Sequence, residues 1–224
     1  MRGLGGGKFN ELCANLKLLN KNFSFIILTE VWLHKITDVG FCINGYKSIS
    51  LLRENRRGGG IKIYYDDNIN ICKVDNLTVA DDICERLFIR ATIPGFGNLL
   101  LGAVYRPPNF NVFEFINFID SFLESEANSR LVITGDINID VLKSCPNVQL
   151  YKDTITQNGF LNEINIPTYH SPITNSDVSC LDHFIHNLNS CRTKSLILTP
   201  TIADHYATAL LIERKIETKK NRVS

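Results

Sequence analysis

A chain of 224 residues, 44 % apolar and 21 % charged, has the material for one substantial core and reads as a single ordinary globular domain. No apolar run approaches the ~20 residues that cross a bilayer, and the first ten residues lack the apolar stretch of a secretory signal, so a nuclear or cytoplasmic address is expected, with neither secretion nor a membrane partner. The net charge of +1 excludes a globally basic binder of nucleic acid, and seven scattered cysteines with no close pair exclude a zinc knuckle or redox couple.

In chain order, Phe9, Leu12, Leu16 and Leu19 recur at helical spacing and predict an amphipathic helix over 8–20. Phe23 to Leu28 is a continuous apolar run, the mark of a strand covered on both faces, with Glu30 at its exit. Gly58-Gly59-Gly60 introduces a strand in which Ile61, Ile63 and Tyr65 alternate with Lys62 and Tyr64, predicting one drier face. Strands follow at 69–74, 86–93 and 98–105, separated by Asp-Asn and Pro-Gly turn signals. Phe113, Ile116, Ile119 and Leu123 give a helix. The strand 130–135, a helix over 148–157 stopped by Gly159, and strands at 181–186, 194–198 and 205–212 complete the chain. Strands outnumber helices and hairpins mix with helix crossovers, which predicts a two-sheet α/β sandwich over 1–213. Residues 214–224, with Arg214, Lys215, Lys219, Lys220 and Arg222, read as a basic, solvated tail.

Chemistry collects just beyond the apolar strands. Glu30 follows Phe-Ile-Ile-Leu-Thr, Tyr105 follows Leu-Leu-Leu-Gly-Ala-Val, and Asp136 with Asn138 follows Leu-Val-Ile-Thr-Gly. Sites in layered α/β proteins gather at one sheet rim, where loops are held by rigid strands yet meet solvent. Two Asp-His pairs, Asp182-His183 and Asp204-His205, open late strands. A carboxylate from one strand can then orient an imidazole from the other, and the expected pair is Asp182 with His205. Carboxylate, amide and histidine together suit phosphoryl chemistry.

These words, in order, are Leu28-Thr29-Glu30-Val31-Trp32-Leu33, Arg57-Gly58-Gly59-Gly60-Ile61, Ala103-Val104-Tyr105-Arg106-Pro107-Pro108, Ile133-Thr134-Gly135-Asp136-Ile137-Asn138, Pro167-Thr168, Ser179-Cys180-Leu181-Asp182-His183 and Ala203-Asp204-His205. Together they resemble the endonuclease/exonuclease/phosphatase superfamily, specifically the apurinic-endonuclease-like domain of non-LTR (LINE-type) retrotransposons. The resemblance implies a four-layer, DNase I-like sandwich and hydrolysis of a DNA phosphodiester. It implies Mg²⁺, with Mn²⁺ as a substitute, held by Glu30 and shaped by Asp204. Asp136 would activate water and Asn138 would position it. His205, aimed by Asp182, and Tyr105 would contact the phosphate. Double-stranded DNA is the implied substrate, and the 3′-hydroxyl left by nicking would prime a reverse transcriptase in a longer polyprotein. Family domains begin with a strand ending in an Asn-x-Arg-Ser/Gly-Leu word, of which Met1-Arg2-Gly3-Leu4 matches only the tail. The expectation is a sandwich lacking its first strand and metal-binding asparagine, with impaired activity.

Other positions carry plainer readings. Arg106 is half scaffold, able to meet phosphate or a carboxylate. Thr168 can touch DNA or end a turn. Arg53, Arg56 and Arg57 are expected to be exposed and to face DNA backbone, Trp32 to pack rather than stack on a base, and Asp140 to sit in solvent or cap local backbone. His34, His170 and His186 read as surface or structural, and His183 as structural. The alternatives to DNA nicking are a phosphatase or phosphodiesterase acting on small phosphorylated molecules such as inositol lipids, or an inactive retroelement fragment that at most binds DNA weakly.

Overall fold

The computed structural model describes residues 3–53, 58–173, 175–198 and 203–214. Its elements in order are α1 (Gly6–Leu19), β1 (Phe25–Thr29), α2 (Lys35–Asp38), β2 (Tyr46–Leu51), β3 (Ile61–Asp66), β4 (Asn70–Lys73), β5 (Val79–Ala80), β6 (Glu85–Ile93), β7 (Gly97–Tyr105), α3 (Val112–Ser125), β8 (Leu131–Asp136), α4 (Pro146–Gln157), β9 (Leu161–Asn162), β10 (Tyr169–Ser171), β11 (Ser176–Ser179), β12 (Asp182–His186), β13 (Cys191–Leu198) and β14 (Ala207–Arg214). None of the helices among the described residues is long and apolar enough to cross a membrane.

A seven-stranded sheet forms the centre, in the order β4-β6-β7-β8-β12-β9 with β5 also on β6. Its one parallel pairing, β7 with β8, is joined by α3, as a parallel connection requires a crossover. Asn111 starts α3 by accepting the backbone N–H groups of Phe113 and Glu114, and Pro146 occupies the first turn of α4, where its missing N–H costs nothing. Gly159, at φ +80°, ends α4 as expected.

Four layers result. On one face of the central sheet, Phe88, Val104 and Ile133 pack against Phe115, Ile119 and Leu123 of α3 and Tyr151 and Ile155 of α4. On the other, Leu87, Ile89, Leu101 and Ala103 pack against a second strand layer, through Ile61 and Ile63 of β3, Phe25 and Ile27 of β1, and Leu210 and Ile212 of β14. The outer face of that layer presents Ile26, Leu28 and Tyr64 to Leu12 and Phe9 of α1.

The second layer consists of two sheets, β1-β3-β2 and the β13-β14 hairpin. Both rest on the same core. Gly3 and Leu4 donate backbone hydrogen bonds to Glu30 and Val31 (2.9 and 2.7 Å), so the chain at residues 3 and 4 already runs beside the segment leaving β1.

The expected drier and wetter faces of β3 are not found. Lys62 and Tyr64 are as buried as Ile61 and Ile63, because α1 and the segment after β1 cover the outer face. Lys62 tolerates burial through a 2.7 Å ion pair with Asp38 and a hydrogen bond to Ser50, which together bind α2 to the sheet.

Candidate active site

Six chain segments meet at one rim: the exit of β1, the glycine segment before β3, the ends of β7 and β8, the start of β12, and the segment before β14 that carries His205. At the β1 exit, Glu30 has a left-handed backbone (φ +55°), and Val31 and Trp32 donate backbone hydrogen bonds to Gly60 and Gly59 (3.2 and 2.9 Å). Tyr105, the last residue of β7, donates its hydroxyl to Glu30 Oε1 at 2.6 Å. Burial, then the bond to Glu30 and the neighbouring carboxylates, push the phenol well above its ordinary range, so it remains a proton-bearing donor.

Asp136 ends β8 directly opposite Asp182, the first residue of β12. Facing carboxylates on adjacent strands repel. Asp136 is buried, and its carboxyl is pushed up to about 7, first by burial, then by Asp182 and Glu30 against the opposing influence of His205. The placement depends on Gly135, at φ +139°, where a Cβ would collide with the carbonyl of Val104.

Asn138 does not continue an extended strand. Its φ is +53°, its backbone N–H donates to Asp136 Oδ1 (3.2 Å), and its side-chain amide donates to the Arg106 carbonyl (2.9 Å). Asp136 and Asn138 are thus joined by a tight turn, not by strand alternation.

The pairing expected between distant Asp-His words is present: His205 Nδ1 donates to Asp182 Oδ2 at 2.8 Å. Burial disfavours the charged imidazole, but the hydrogen bond and charge of Asp182, joined by Asp136, outweigh it and raise the pKa of His205. Asp136, Asp182 and His205 offer ligand atoms all within 4.8 Å of one another. Asp204 bonds through its carbonyl to the His170 N–H (2.8 Å), and it is not part of that trio.

Two residues expected at the substrate serve the scaffold. Arg106 is 1 % exposed, and its guanidinium donates to the carbonyls of Ile137, Asn138, Pro107 and Phe110 at 2.6 to 3.1 Å. It grips the loop that carries Asn138. Thr168 is fully buried, and its hydroxyl accepts the N–H groups of Leu181 (2.9 Å) and Asp182 (3.1 Å). Arg57 lies outside the described residues, as does Arg56. Arg53, expected at the surface, forms an ion pair with the fully buried Glu85, which in turn accepts the Gly60 N–H at 2.6 Å.

Asp140 is buried, not solvated, and takes the other expected role of capping local backbone, accepting from Leu142 (3.2 Å) and, across the fold, from Cys180 (3.0 Å). His183 is structural as expected: Nε2 donates to the Cys180 carbonyl and Nδ1 accepts the Tyr151 hydroxyl at 2.8 Å. Of the two readings open for each, the scaffold role of Arg106 and a structural role for Thr168 are the ones the hydrogen bonds describe. An Arg or Thr flanking a motif carries no periodic signal of its burial.

The four-layer sandwich is the fold seen in solved endonuclease/exonuclease/phosphatase proteins. Among solved structures it is similar to the endonuclease domain of TRAS1, a telomere-specific non-LTR retrotransposon, with a TM-score of 0.69 and 13 % identity over 95 % of this chain and 94 % of that one. It is similar to a 3′ phosphatase from Neisseria bound to a product DNA hairpin (TM-score 0.66, 13 % identity, 95 % and 96 % covered). An apurinic endonuclease from Archaeoglobus fulgidus is likewise similar (TM-score 0.65, 14 % identity, 91 % and 93 % covered). No protein-family model and no curated protein matches the sequence.

Proposed function

We propose that this chain is a divalent-metal-dependent endonuclease that nicks double-stranded DNA, of the kind that opens a target site for a non-LTR retroelement. The observation that carries the reading is the 2.8 Å bond between His205 and Asp182 at the rim where Asp136 faces Asp182. Such a pair can present a proton-bearing imidazole to an anionic substrate while a neighbouring carboxylate handles water.

The donor chemistry suits a hard cation. Glu30, Asp136 and Asp182 crowd one rim; burial first, then the charges of Asp182 and Glu30, raise the pKa of Asp136, and Mg²⁺ or Mn²⁺ would relieve the repulsion. Glu30, with Asp204 beside His205, would hold the ion. When bound it neutralises charge on the phosphate and lowers the pKa of coordinated water. Nδ1 of His205 is already committed to Asp182, which leaves Nε2 to donate to a non-bridging phosphate oxygen as charge develops there. Tyr105 commits its one hydroxyl proton to Glu30, and that same proton would turn to the phosphate once Glu30 took up the ion. Asp136 accepts the proton of the attacking water, and Asn138, gripped through Arg106, orients that water. In-line displacement would leave a 3′-hydroxyl that a reverse transcriptase could extend.

Conversion of supercoiled plasmid to nicked circles tests the reading. Nicking is expected with Mg²⁺, is abolished by EDTA, and falls at least about 100-fold in Asp136→Ala. Release of phosphate from an inositol phosphate without plasmid nicking would favour the small-molecule phosphatase instead. Nicking untouched by Asp136→Ala would remove the catalytic assignment.

A further inference from the structure

Trp32 is the only tryptophan in the chain, and it is 39 % exposed although it lies between the buried Val31 and Leu33. Tryptophan is ordinarily a highly buried residue. Val31 and Leu33 both enter the core beneath α1, and the indole between them does not.

The exposure is built in. Trp32 and Glu30 are both non-glycine residues with left-handed backbones (φ +54° and +55°), one on each side of Val31. Such a conformation persists only where surrounding structure enforces it, and strained residues of this kind cluster at functional sites. Here the enforcement is visible: Leu4 donates to the Val31 carbonyl, Val31 to Gly60 and Trp32 to Gly59. Gly60 is itself anchored by Glu85, paired with Arg53, and Gly59 lies close against both of those side chains. The indole leans on two bare backbones, since a methyl at Gly3 would meet its Cε3 at 3.4 Å and one at Gly58 its Nε1 at 3.6 Å. It is therefore a rigid aromatic plate on the rim, two residues from the carboxylate that receives the Tyr105 hydroxyl.

We infer that Trp32 is a substrate-contact residue, its exposed face packing against the nucleotide that flanks the scissile phosphate. The inference rests on the DNA reading of the site. Stacking on base or sugar suits an indole held this way, because every nucleotide offers a flat apolar surface and a pre-oriented ring loses little freedom on contact. Trp32 packs against Gly3 and Gly58, as expected, and the part of the ring left exposed is what this inference assigns to substrate.

The single tryptophan makes the test direct. A short DNA duplex is titrated into the full chain in EDTA, and the indole emission is followed. A saturable change is expected, together with a rise in the KM for nicking of about tenfold in Trp32→Ala and a smaller rise in Trp32→Phe, with kcat nearly retained. Melting curves of both variants identify any loss that comes from misfolding, and the emission titration needs no variant at all. Wild-type chain that nicks DNA while its emission stays silent and Trp32→Ala keeps its KM overturns this inference alone. Wild-type chain that neither binds nor nicks DNA overturns it together with the reading on which it rests.

Discussion

The buried hydroxyl of Thr168 accepts the backbone N–H of Asp182 at 3.1 Å and that of Leu181 at 2.9 Å, so one side chain fixes the point where β12 begins and Asp182 meets His205. A hydroxyl that satisfies two buried donors is worth more than its size suggests, because its loss leaves both N–H groups without a partner. Thr168→Val keeps the shape and removes the acceptor. It is expected to lower stability by about 2–3 kcal/mol by urea denaturation and to depress nicking through a displaced Asp182. Thr168→Ser, which keeps the oxygen, should lose less than half of either. Equal behaviour of the two variants would show that the hydroxyl does not position the strand.

Asp182 and His205 are expected to behave as one unit. Asp182→Asn removes the negative charge that supports a proton-bearing imidazole, and His205→Ala removes the donor itself. Each should lower kcat by roughly 10² to 10⁴. The double variant should be scarcely worse than His205→Ala, since the carboxylate acts through the ring. Independent, multiplicative losses in single-turnover nicking would mean that the two residues do different work.

The legible and illegible parts of this site divide along a physical line. Glu30, Tyr105, Asp136 and Asp182 each adjoin an apolar run, and strand ends can be read from apolar runs, so their convergence at one rim was deducible. The short β10–β11 hairpin and β2 went unread because Tyr46–Leu51 and Tyr169–Ser171 mix polar and apolar residues, and their pairing is decided by distant partners. Burial of charge was equally opaque. Lys62, Arg106, Arg53 and Asp140 look like surface residues by type, yet each is enclosed against a partner more than ten positions away: Asp38, the carbonyls of 137 and 138, Glu85 and Cys180. Composition reports how many charges a chain has, and only the completed fold reports which ones it needs inside.

Gly135 makes a prediction about backbone. Its φ of +139° is sparsely accessible to any residue with a Cβ, and the added carbon would strike the Val104 carbonyl of the neighbouring strand. Gly135→Ala should cost about 3 kcal/mol or more and displace Asp136. Gly95, also at positive φ but facing open space in the β6–β7 turn, provides the control. Gly95→Ala should cost only about 1 kcal/mol by the same thermal melts, the backbone penalty alone. Comparable losses at both positions would mean that the close approach of β7 and β8 is not what demands glycine.

Stability should carry an acid signature from His183. The imidazole is fully enclosed, with both ring nitrogens engaged, and burial lowers its pKa from 6.5 to about 4. Between those values the unfolded chain takes up a proton that the folded chain refuses, so the contribution of His183 is complete above about pH 6.5 and is lost as pH falls towards about 4. The full loss is on the order of 3 kcal/mol. Asp136 works in the opposite sense: with its carboxyl raised to about 7, the folded chain holds a proton that the unfolded chain releases, which favours folding on acidification. The two partly cancel in the wild-type chain, so the informative quantity is a difference. The destabilisation caused by His183→Asn should be largest near pH 7 and should shrink by roughly 3 kcal/mol by pH 4, while Asp136→Asn should stabilise near pH 8 and be almost neutral near pH 4. Urea midpoints for the three proteins across that range measure both trends, and a His183→Asn penalty independent of pH would mean that this histidine is protonated within the fold.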